Sequence, residues 1–193
     1  MMHICGVVLS GGKSSRMGTN KSLLTINKKP VIKYIADELK SLSEEVVLIT
    51  NEPEIYDFLH LNTYCDRYED KGPLAGLETA LYHKNADVFL IAACDMPFIN
   101  GQVYNYLLQQ LESYDAVVPV YNNRMHPLAG VYRRKVLPEI QLQISESNLK
   151  VRGFFKHIKV NYIEEFNNIS TDTLQKHFFN MNNPKEYEEA KRL

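Results

Sequence analysis

The chain has 193 residues, which is enough to bury a full hydrophobic core in one domain without disulfides or structural metals. Its formal net charge of -1 gives no overall attraction to nucleic acid or to an anionic membrane, so any phosphate-binding charge must be local. No apolar run approaches the roughly 20 residues of a membrane span, and the N-terminus lacks the basic segment and cleavage site of a secretory signal. We therefore predict a single cytoplasmic domain over residues 1–193, with no nucleic-acid or membrane partner.

The three cysteines, Cys5, Cys65 and Cys94, each lie in or beside an apolar run. Their odd number and wide spacing argue against a disulfide framework. We expect buried, reduced thiols that pack as small apolar side chains.

Short apolar runs alternate with helix-like stretches in the first half of the chain. Strands are predicted at 4–9, 46–50, 63–65 and 88–93, because each is short, apolar and rich in β-branched residues. Pro30 opens an amphipathic helical pattern, since proline suits the first turn of a helix. A short helix is predicted at 54–59, and a longer one begins near Leu74.

The second half continues the alternation. Strands are predicted at 116–120, 128–132 and 160–163, and helices at 103–111, 135–144, 147–157 and 184–193. This order predicts an α/β, Rossmann-like fold: a mostly parallel central sheet with helices on both faces. Ligands of such sheets bind beyond the carboxyl ends of the strands, which here means after Leu9 and near Asn51, Asp66 and Asp95.

Residues 6–24 (GVVLSGGKSSRMGTNKSLL) have the composition of a phosphate-binding loop. They do not form a Walker A motif, because that motif requires glycine at the position of Val7, and no glycine triplet has the GxGxxG spacing. Adjacent Gly11 and Gly12 let the backbone approach a ligand, and successive N–H groups in such a turn can bind an anion. On this chemistry alone, a glycine-rich surface loop stays open as the alternative. Three cations on the loop could offset triphosphate charge: Lys13, Arg16 and Lys21.

Residues 9–24 resemble the signature loop L-A-G-G-x-S-x-R-M-G-x-x-K of the molybdenum cofactor guanylyltransferase family, with Ser10 in place of the usual alanine. Four further matches follow in the family's order and extend the resemblance over almost the whole chain. They are G-P-L-A-G at 72–76, D-x-P at 95–97, H-P at 126–127 and, near the C-terminus, residues 179–184 (FNMNNP), which resemble F-x-N-x-N-x-P.

The resemblance implies a nucleotidyltransferase fold of the GT-A-like kind and an activity. The implied reaction transfers GMP from GTP to the terminal phosphate of Mo-molybdopterin and releases pyrophosphate, with Mg²⁺ as cofactor. Molybdoenzyme apoproteins and other cofactor-biosynthesis proteins are candidate partners. Three alternatives remain: a cytidylyltransferase on the same pterin, a sugar-1-phosphate nucleotidyltransferase, and a non-catalytic module that binds the nucleotide and delivers the pterin.

The same resemblance implies roles for individual residues. Asp95 is the expected Mg²⁺ ligand, and Arg16 and Lys21 are expected to neutralise the triphosphate, so these three are the predicted catalytic residues. Asp66 is expected to accept hydrogen bonds from guanine or ribose, and Asn180 and Asn182 to lie toward the pterin. The full predicted binding set is Leu9, Ser10, Gly11, Gly12, Lys21, Asn51, Asp66, Asp95, Asn180 and Asn182.

Several of these positions also have plain structural interpretations. Asp66 could be a strand-end turn residue, and Asp95 a turn or helix-cap residue before Pro97. His126 precedes a proline and has no carboxylate partner in its motif, so a positioning role is expected for it. Lys150 has only a weak claim to bind the pterin phosphate.

Overall fold

The computed structural model describes residues 2–11 and 20–193. Within them lie ten β-strands: β1 Ile4–Leu9, β2 Thr25–Ile26, β3 Lys29–Pro30, β4 Glu45–Ile49, β5 Asn62–Tyr64, β6 Val88–Ala93, β7 Ala116–Tyr121, β8 Arg124–Met125, β9 Val131–Arg133 and β10 Val160–Ile163. The α-helices in these residues are α1 Val31–Lys40, α2 Pro73–His83, α3 Gly101–Gln109, α4 Leu137–Ser145, α5 Thr171–His177 and α6 Pro184–Ala190. Short 3₁₀ helices occupy Lys21–Leu23, Pro53–Leu59, Pro127–Ala129, Arg134–Val136 and Val151–His157.

The central sheet is mostly parallel, as the sequence predicts. Its strand order is β10-β7-β9-β6-β1-β4-β5, with β8 paired to the end of β7. Neighbours β4, β1 and β6 run parallel, whereas β9 lies antiparallel between β6 and β7. Strands β2 and β3 form a separate two-stranded hairpin.

Both faces of the sheet are covered, which explains why the central strands are apolar at nearly every position. Val8 and Leu90 face one buried layer, which includes side chains of α1 and α3. Val7 and Ile91 point the other way, into a layer that includes side chains of α2 and α4. Successive side chains of a strand alternate between faces, so each of these runs supplies both layers.

Some elements differ from the sequence-based expectations. The predicted helix at 147–157 is a 3₁₀ helix over Val151–His157, and the predicted strand at 128–132 begins only at Val131. Helix α5, the β2–β3 hairpin and β8 are absent from those expectations. Cys5 is buried as expected, but Cys65 is exposed because β5 ends at Tyr64.

The carboxyl ends of four neighbouring strands meet at one edge. The Cys94 amide after β6 donates to the Leu9 carbonyl of β1 over 3.0 Å. The Ser10 amide donates to the Ile49 carbonyl of β4 over 2.9 Å, and Thr50 N donates to the Tyr64 carbonyl of β5 over 3.0 Å. These bonds place the loops after β6, β1, β4 and β5 side by side in that order. In the described part of the chain, no helix combines the length and apolar character needed to cross a membrane.

Candidate active site

Asp66 and Asn51 are held together at one end of this edge. The Asp66 amide donates to Asn51 Oδ1 over 2.9 Å, and Asn51 Nδ2 donates to Asp66 Oδ2 over 3.2 Å. Partial burial raises the pKa of the Asp66 carboxyl, and the hydrogen bond from Asn51 offsets part of that rise. The other carboxylate oxygen of Asp66, Oδ1, makes no hydrogen bond to Asn51.

The G-P-L-A-G segment brings helix α2 close to this pair. Gly72 has φ +64°, a backbone conformation that favours glycine, and Pro73 begins α2. A Cβ on Gly76 would lie 3.2 Å from Leu9 Cδ2 and 3.5 Å from Asp66 Oδ1. The second glycine therefore allows the helix to pack against both the end of β1 and the Asp66 carboxylate.

Arg67 joins the same loop to helix α2, a role that the sequence-based expectations did not include. Its Nη1 lies 2.5 Å from Oε1 of Glu78, whose side chain is fully buried, and its backbone N–H donates to Thr79 Oγ1 over 3.0 Å. The guanidinium also lies 3.2 Å from the centre of the Tyr82 ring. A lone glutamate among the apolar residues of a helix was the available signal, because buried acids are almost always paired.

Asp95 lies just beyond β6, in the middle of the edge. Burial raises the pKa of its carboxyl, and the positive charges of Lys21 and Arg124 offset part of that rise. Lys21 begins a short 3₁₀ helix whose N-cap is Asn20, the side chain of which accepts from the Ser22 amide over 3.2 Å. Two cations from different parts of the chain thus act on one partly buried acid.

Ser10 and Gly11 follow β1, which lies between β4 and β6, so they lie between the Asp66–Asn51 pair and Asp95. Gly11 is exposed, and a Cβ added there would meet no atom of the described residues within 4 Å. The Leu9 side chain is buried in the core. Gly12 and Arg16 lie outside the described residues, so their predicted roles stay predictions.

A cleft of about 270 Å³ opens beside Arg124 and His126. Phe178 and Asn180 line it too, and the Phe178 ring stacks on Tyr121 with 5.0 Å between ring centres. His126 is buried, and that burial, together with the charge of Arg124, lowers the pKa of its imidazole. The residues that complete the lining are Tyr121, Asn122 and Gln175.

The C-terminal segment joins this cleft to Asp95. The Met181 amide donates to the backbone carbonyl of Asp95 over 2.8 Å, which places the backbone of this segment beside the end of β6. Asn182 is not among the described residues that line the cleft, although the alternation of the two asparagines predicts a shared side. Asn183 caps α6, its Oδ1 accepting from the Glu186 amide over 3.0 Å. Lys150 is exposed and does not line the described cleft either.

The donor set fits a hard divalent ion held mainly by substrate. The described residues contain no cluster of three or more His, Cys, Asp or Glu side chains that could hold a metal by themselves. Asp95 offers one carboxylate at the sheet edge. Mg²⁺ is commonly bound by one or two carboxylates plus phosphate oxygens and water, so a single acid suffices when a triphosphate is bound.

Comparison with known proteins identifies the family of the chain. The profile of the MobA-like NTP transferase domain matches residues 6–160. The chain belongs to the MobA-like NTP transferase family. It is 34% identical to a probable molybdenum cofactor guanylyltransferase of Carboxydothermus hydrogenoformans, over 100% of this chain and 98% of that one. It is 38% identical to a protein of the same name from Clostridium perfringens strain 13, over 98% and 96% of the two chains.

A solved structure shares the fold of this MobA-like NTP transferase. Molybdopterin-guanine dinucleotide biosynthesis protein A from Archaeoglobus fulgidus superposes with a TM-score of 0.83 at 23% identity, covering 97% of each chain. Family membership makes the chain a nucleotidyltransferase, and enzymes of this kind typically need a divalent metal.

Proposed function

We propose that this enzyme transfers GMP from GTP to the terminal phosphate of Mo-molybdopterin, forming the guanine dinucleotide cofactor and releasing pyrophosphate. The observation that carries the proposal is the position of Asp95 between two differently built halves of the site. Asp66, Asn51, Ser10 and Gly11 follow β5, β4 and β1 on one side of it. The cleft beside Arg124 and Asn180 lies on the other.

The half formed by β5, β4 and β1 suits a nucleoside triphosphate. Asp66 presents a carboxylate acceptor, and guanine and ribose both carry matching donors. The backbone at Gly11 is open to a ligand, and Lys21 supplies a mobile positive charge near the phosphates. Arg16 is proposed, from the sequence motif, to add a second cation.

The cleft half suits the pterin phosphate. Arg124 is exposed at the cleft and carries the planar donor fork that matches phosphate oxygens. Tyr121 offers partly exposed aromatic surface for a flat heterocycle, with the buried Phe178 ring stacked behind it, and Asn180 adds an amide. Asn182 is kept as a proposed pterin residue from the sequence motif alone.

The chemistry follows from this arrangement of charge. A phosphate oxygen of the acceptor forms a bond to the α-phosphorus of GTP, and the bond from that phosphorus to the α–β bridging oxygen breaks. The acceptor phosphate is already anionic, so no strong general base is required, and alignment and charge neutralisation supply the catalysis. Mg²⁺ bound at Asp95 would neutralise charge on the phosphate oxygens. Lys21 and Arg124 would orient the two anions from opposite sides of that acid.

Pyrophosphate release, measured separately with GTP and with CTP, tests the proposal. Each nucleotide is supplied with Mg²⁺, with and without Mo-molybdopterin, and a sugar 1-phosphate replaces the pterin in a further arm. We expect release only with GTP and the pterin. Faster release with CTP or with the sugar phosphate would replace the proposed substrates, and GTP binding without release in any arm would favour the non-catalytic alternative. Transfer of the product to molybdoenzyme apoproteins, the cytoplasmic location and the single-domain organisation stay predictions from the sequence.

A further inference from the structure

The hydroxyl of Tyr56 is a buried junction of hydrogen bonds. Tyr56 lies in the 3₁₀ helix Pro53–Leu59 after β4, and only 1% of its surface is exposed. Its Oη lies 2.7 Å from Ser10 Oγ, 2.7 Å from Ser22 Oγ and 2.9 Å from Asn20 Nδ2. Three segments of the chain, those of Tyr56, Ser10 and Asn20–Ser22, therefore meet at the hydroxyl oxygen of Tyr56.

Those two other stretches flank Lys21 and the end of β1. Ser10 follows β1 directly, and its amide continues the sheet to Ile49. Asn20 and Ser22 are the immediate neighbours of Lys21 in the chain. Through a single hydroxyl, the segment that carries Lys21 is fixed to the carboxyl end of the strand on which the site is built.

The contacts at this junction fit one consistent pattern of donors and acceptors. Ser22 Oγ donates to Asn20 Oδ1 over 2.7 Å, so the Tyr56 proton is left to donate to Ser22 Oγ. Ser10 Oγ and Asn20 Nδ2 then donate to Tyr56 Oη, which completes the one donor and two acceptor sites of a phenol. Because Tyr56 and Ser22 are buried, a rearrangement that broke their bonds would leave a buried polar atom without a partner.

We propose that Tyr56 is a positioning residue that acts through Lys21, an inference that rests on the proposed function of this site. The side chain of Asn20 both bonds the Tyr56 hydroxyl and caps the 3₁₀ helix that Lys21 begins. Tyr56 thereby sets where the lysine backbone stands relative to Ser10 and Gly11. From that position the Lys21 charge acts on Asp95.

The test compares Tyr56→Phe with Tyr104→Phe. Phenylalanine keeps the ring of Tyr56 and removes only the hydroxyl. Tyr104 is the matched control, because it too is fully buried and its hydroxyl donates to a backbone carbonyl, that of Ile91, over 2.6 Å, without contacting residues of the site. Both variants lose one buried hydroxyl, so a general loss of stability is common to them.

Two readouts separate positioning from stability. We expect Tyr56→Phe to lower kcat/KM for GTP roughly 10- to 100-fold, the scale of a small misplacement of a catalytic group, with Tyr104→Phe near the wild type. We also expect faster hydrogen exchange at the amides of Ser22, Leu23 and Leu24 in Tyr56→Phe alone. Equal kcat/KM in the two phenylalanine variants, or exchange at those amides equal to the control, overturns the proposal.

Ser10→Ala completes a double-mutant cycle. Ser10→Ala alone removes one of the three hydrogen bonds to the Tyr56 hydroxyl, so we expect a smaller loss of kcat/KM than in Tyr56→Phe. Ser10→Ala added to Tyr56→Phe should lower kcat/KM little further, because the hydroxyl that Ser10 bonds is already absent. Full additivity would show that Ser10 and Tyr56 act separately and would contradict the proposed junction. The exchange measurement needs no substrate. If the wild type releases no pyrophosphate, the proposed function fails, and the exchange result still decides whether Tyr56 holds the Lys21 segment.

Discussion

Asn51 and Asp66 bond each other in both directions, since the amide oxygen of Asn51 accepts from the Asp66 backbone and its amide nitrogen donates to the Asp66 carboxylate. The two residues come from the ends of neighbouring strands β4 and β5. The pairing fixes the orientation of the Asp66 carboxyl before any ligand arrives. Asn51 therefore has a structural role, holding Asp66, in addition to its proposed contact with the nucleotide.

Asp66→Asn should weaken nucleotide binding without unfolding the protein. The amide keeps the shape of the carboxyl but loses a charged acceptor, and hydrogen bonds to charged groups are worth about 1.5–3 kcal/mol. We therefore expect KM for GTP to rise roughly 10- to 100-fold, with a smaller effect on kcat. Steady-state pyrophosphate release measures both constants.

Substrate analogues identify the atom that Asp66 contacts. Inosine triphosphate lacks the guanine 2-amino group, and 2′-deoxy-GTP lacks a ribose hydroxyl. If Asp66 contacts the group that an analogue lacks, that analogue should have a higher KM than GTP with the wild type. With Asp66→Asn, the same analogue and GTP should have similar KM values. Unchanged KM for GTP in Asp66→Asn would show that Asp66 is a turn residue only.

Asp95→Asn should abolish turnover and leave the fold intact. Burial disfavours the charged form of this carboxyl, so replacing it with a neutral amide removes a desolvation cost. We expect a loss of several orders of magnitude in kcat, with a melting temperature equal to or above that of the wild type. Calorimetry and a Mg²⁺ titration of pyrophosphate release check both parts. Near-normal release at saturating Mg²⁺ would remove Asp95 from the mechanism.

Arg124→Ala should affect the acceptor more than the nucleotide. The residue lines the cleft next to Asn180, away from Asp66 and Asn51, so KM for the pterin should rise about tenfold or more while KM for GTP changes little. Arg192→Ala is a matched control, because Arg192 is exposed near the C-terminus and does not line the described cleft. An increase confined to KM for GTP would place Arg124 with the triphosphate instead.

Loss of Arg67 alone should destabilise the protein more than loss of both charges of the Arg67–Glu78 pair. Arg67→Ala leaves the buried Glu78 carboxylate without its cation, and such a loss costs about 3–5 kcal/mol of unfolding free energy. Adding Glu78→Gln removes the stranded charge while keeping the acceptor for Gln141 Nε2, so the double variant should be more stable than Arg67→Ala alone. Urea unfolding measures the difference. A double variant no more stable than the single one would show that the carboxylate is tolerated without Arg67.

His177 should make the protein sensitive to acid. Burial lowers the pKa of its imidazole from 6.5 to about 3, with a further contribution from the neighbouring His126. The Phe178 and Tyr104 rings pack against it, and its Nδ1 accepts from the Asn100 amide over 2.9 Å. The His177 imidazole therefore binds a proton below pH 6.5 in the unfolded chain, but only below about pH 3 in the folded chain. Stability is complete above pH 6.5 and falls by about 1.4 kcal/mol per pH unit through that window.

His177→Gln removes this titration and keeps an acceptor for the Asn100 amide. Its unfolding free energy should decline less steeply than that of the wild type between pH 6.5 and pH 5. His157→Gln changes an exposed histidine and should leave the wild-type slope as it is. Identical slopes of unfolding free energy against pH in all three proteins would show that groups other than His177 cause the acid sensitivity.

The sequence predicts the sheet well because its central strands are buried on both faces and therefore apolar throughout. Strands β1 and β6 begin and end where the periodicity places them, and Asp66 and Asp95 follow their strands as expected. What escaped prediction depends on contacts between distant residues. Nothing local marks Tyr56 as a partner of Ser10, and Arg124 becomes part of the site only because β8 folds back on β7.

The hydrogen bond from the Met181 amide to the Asp95 carbonyl ties the C-terminal segment to the end of β6. The MobA-like NTP transferase profile matches residues 6–160, so this contact reaches the candidate site from outside the matched stretch. A C-terminal truncation would therefore alter the surroundings of Asp95 as well as the end of the polypeptide.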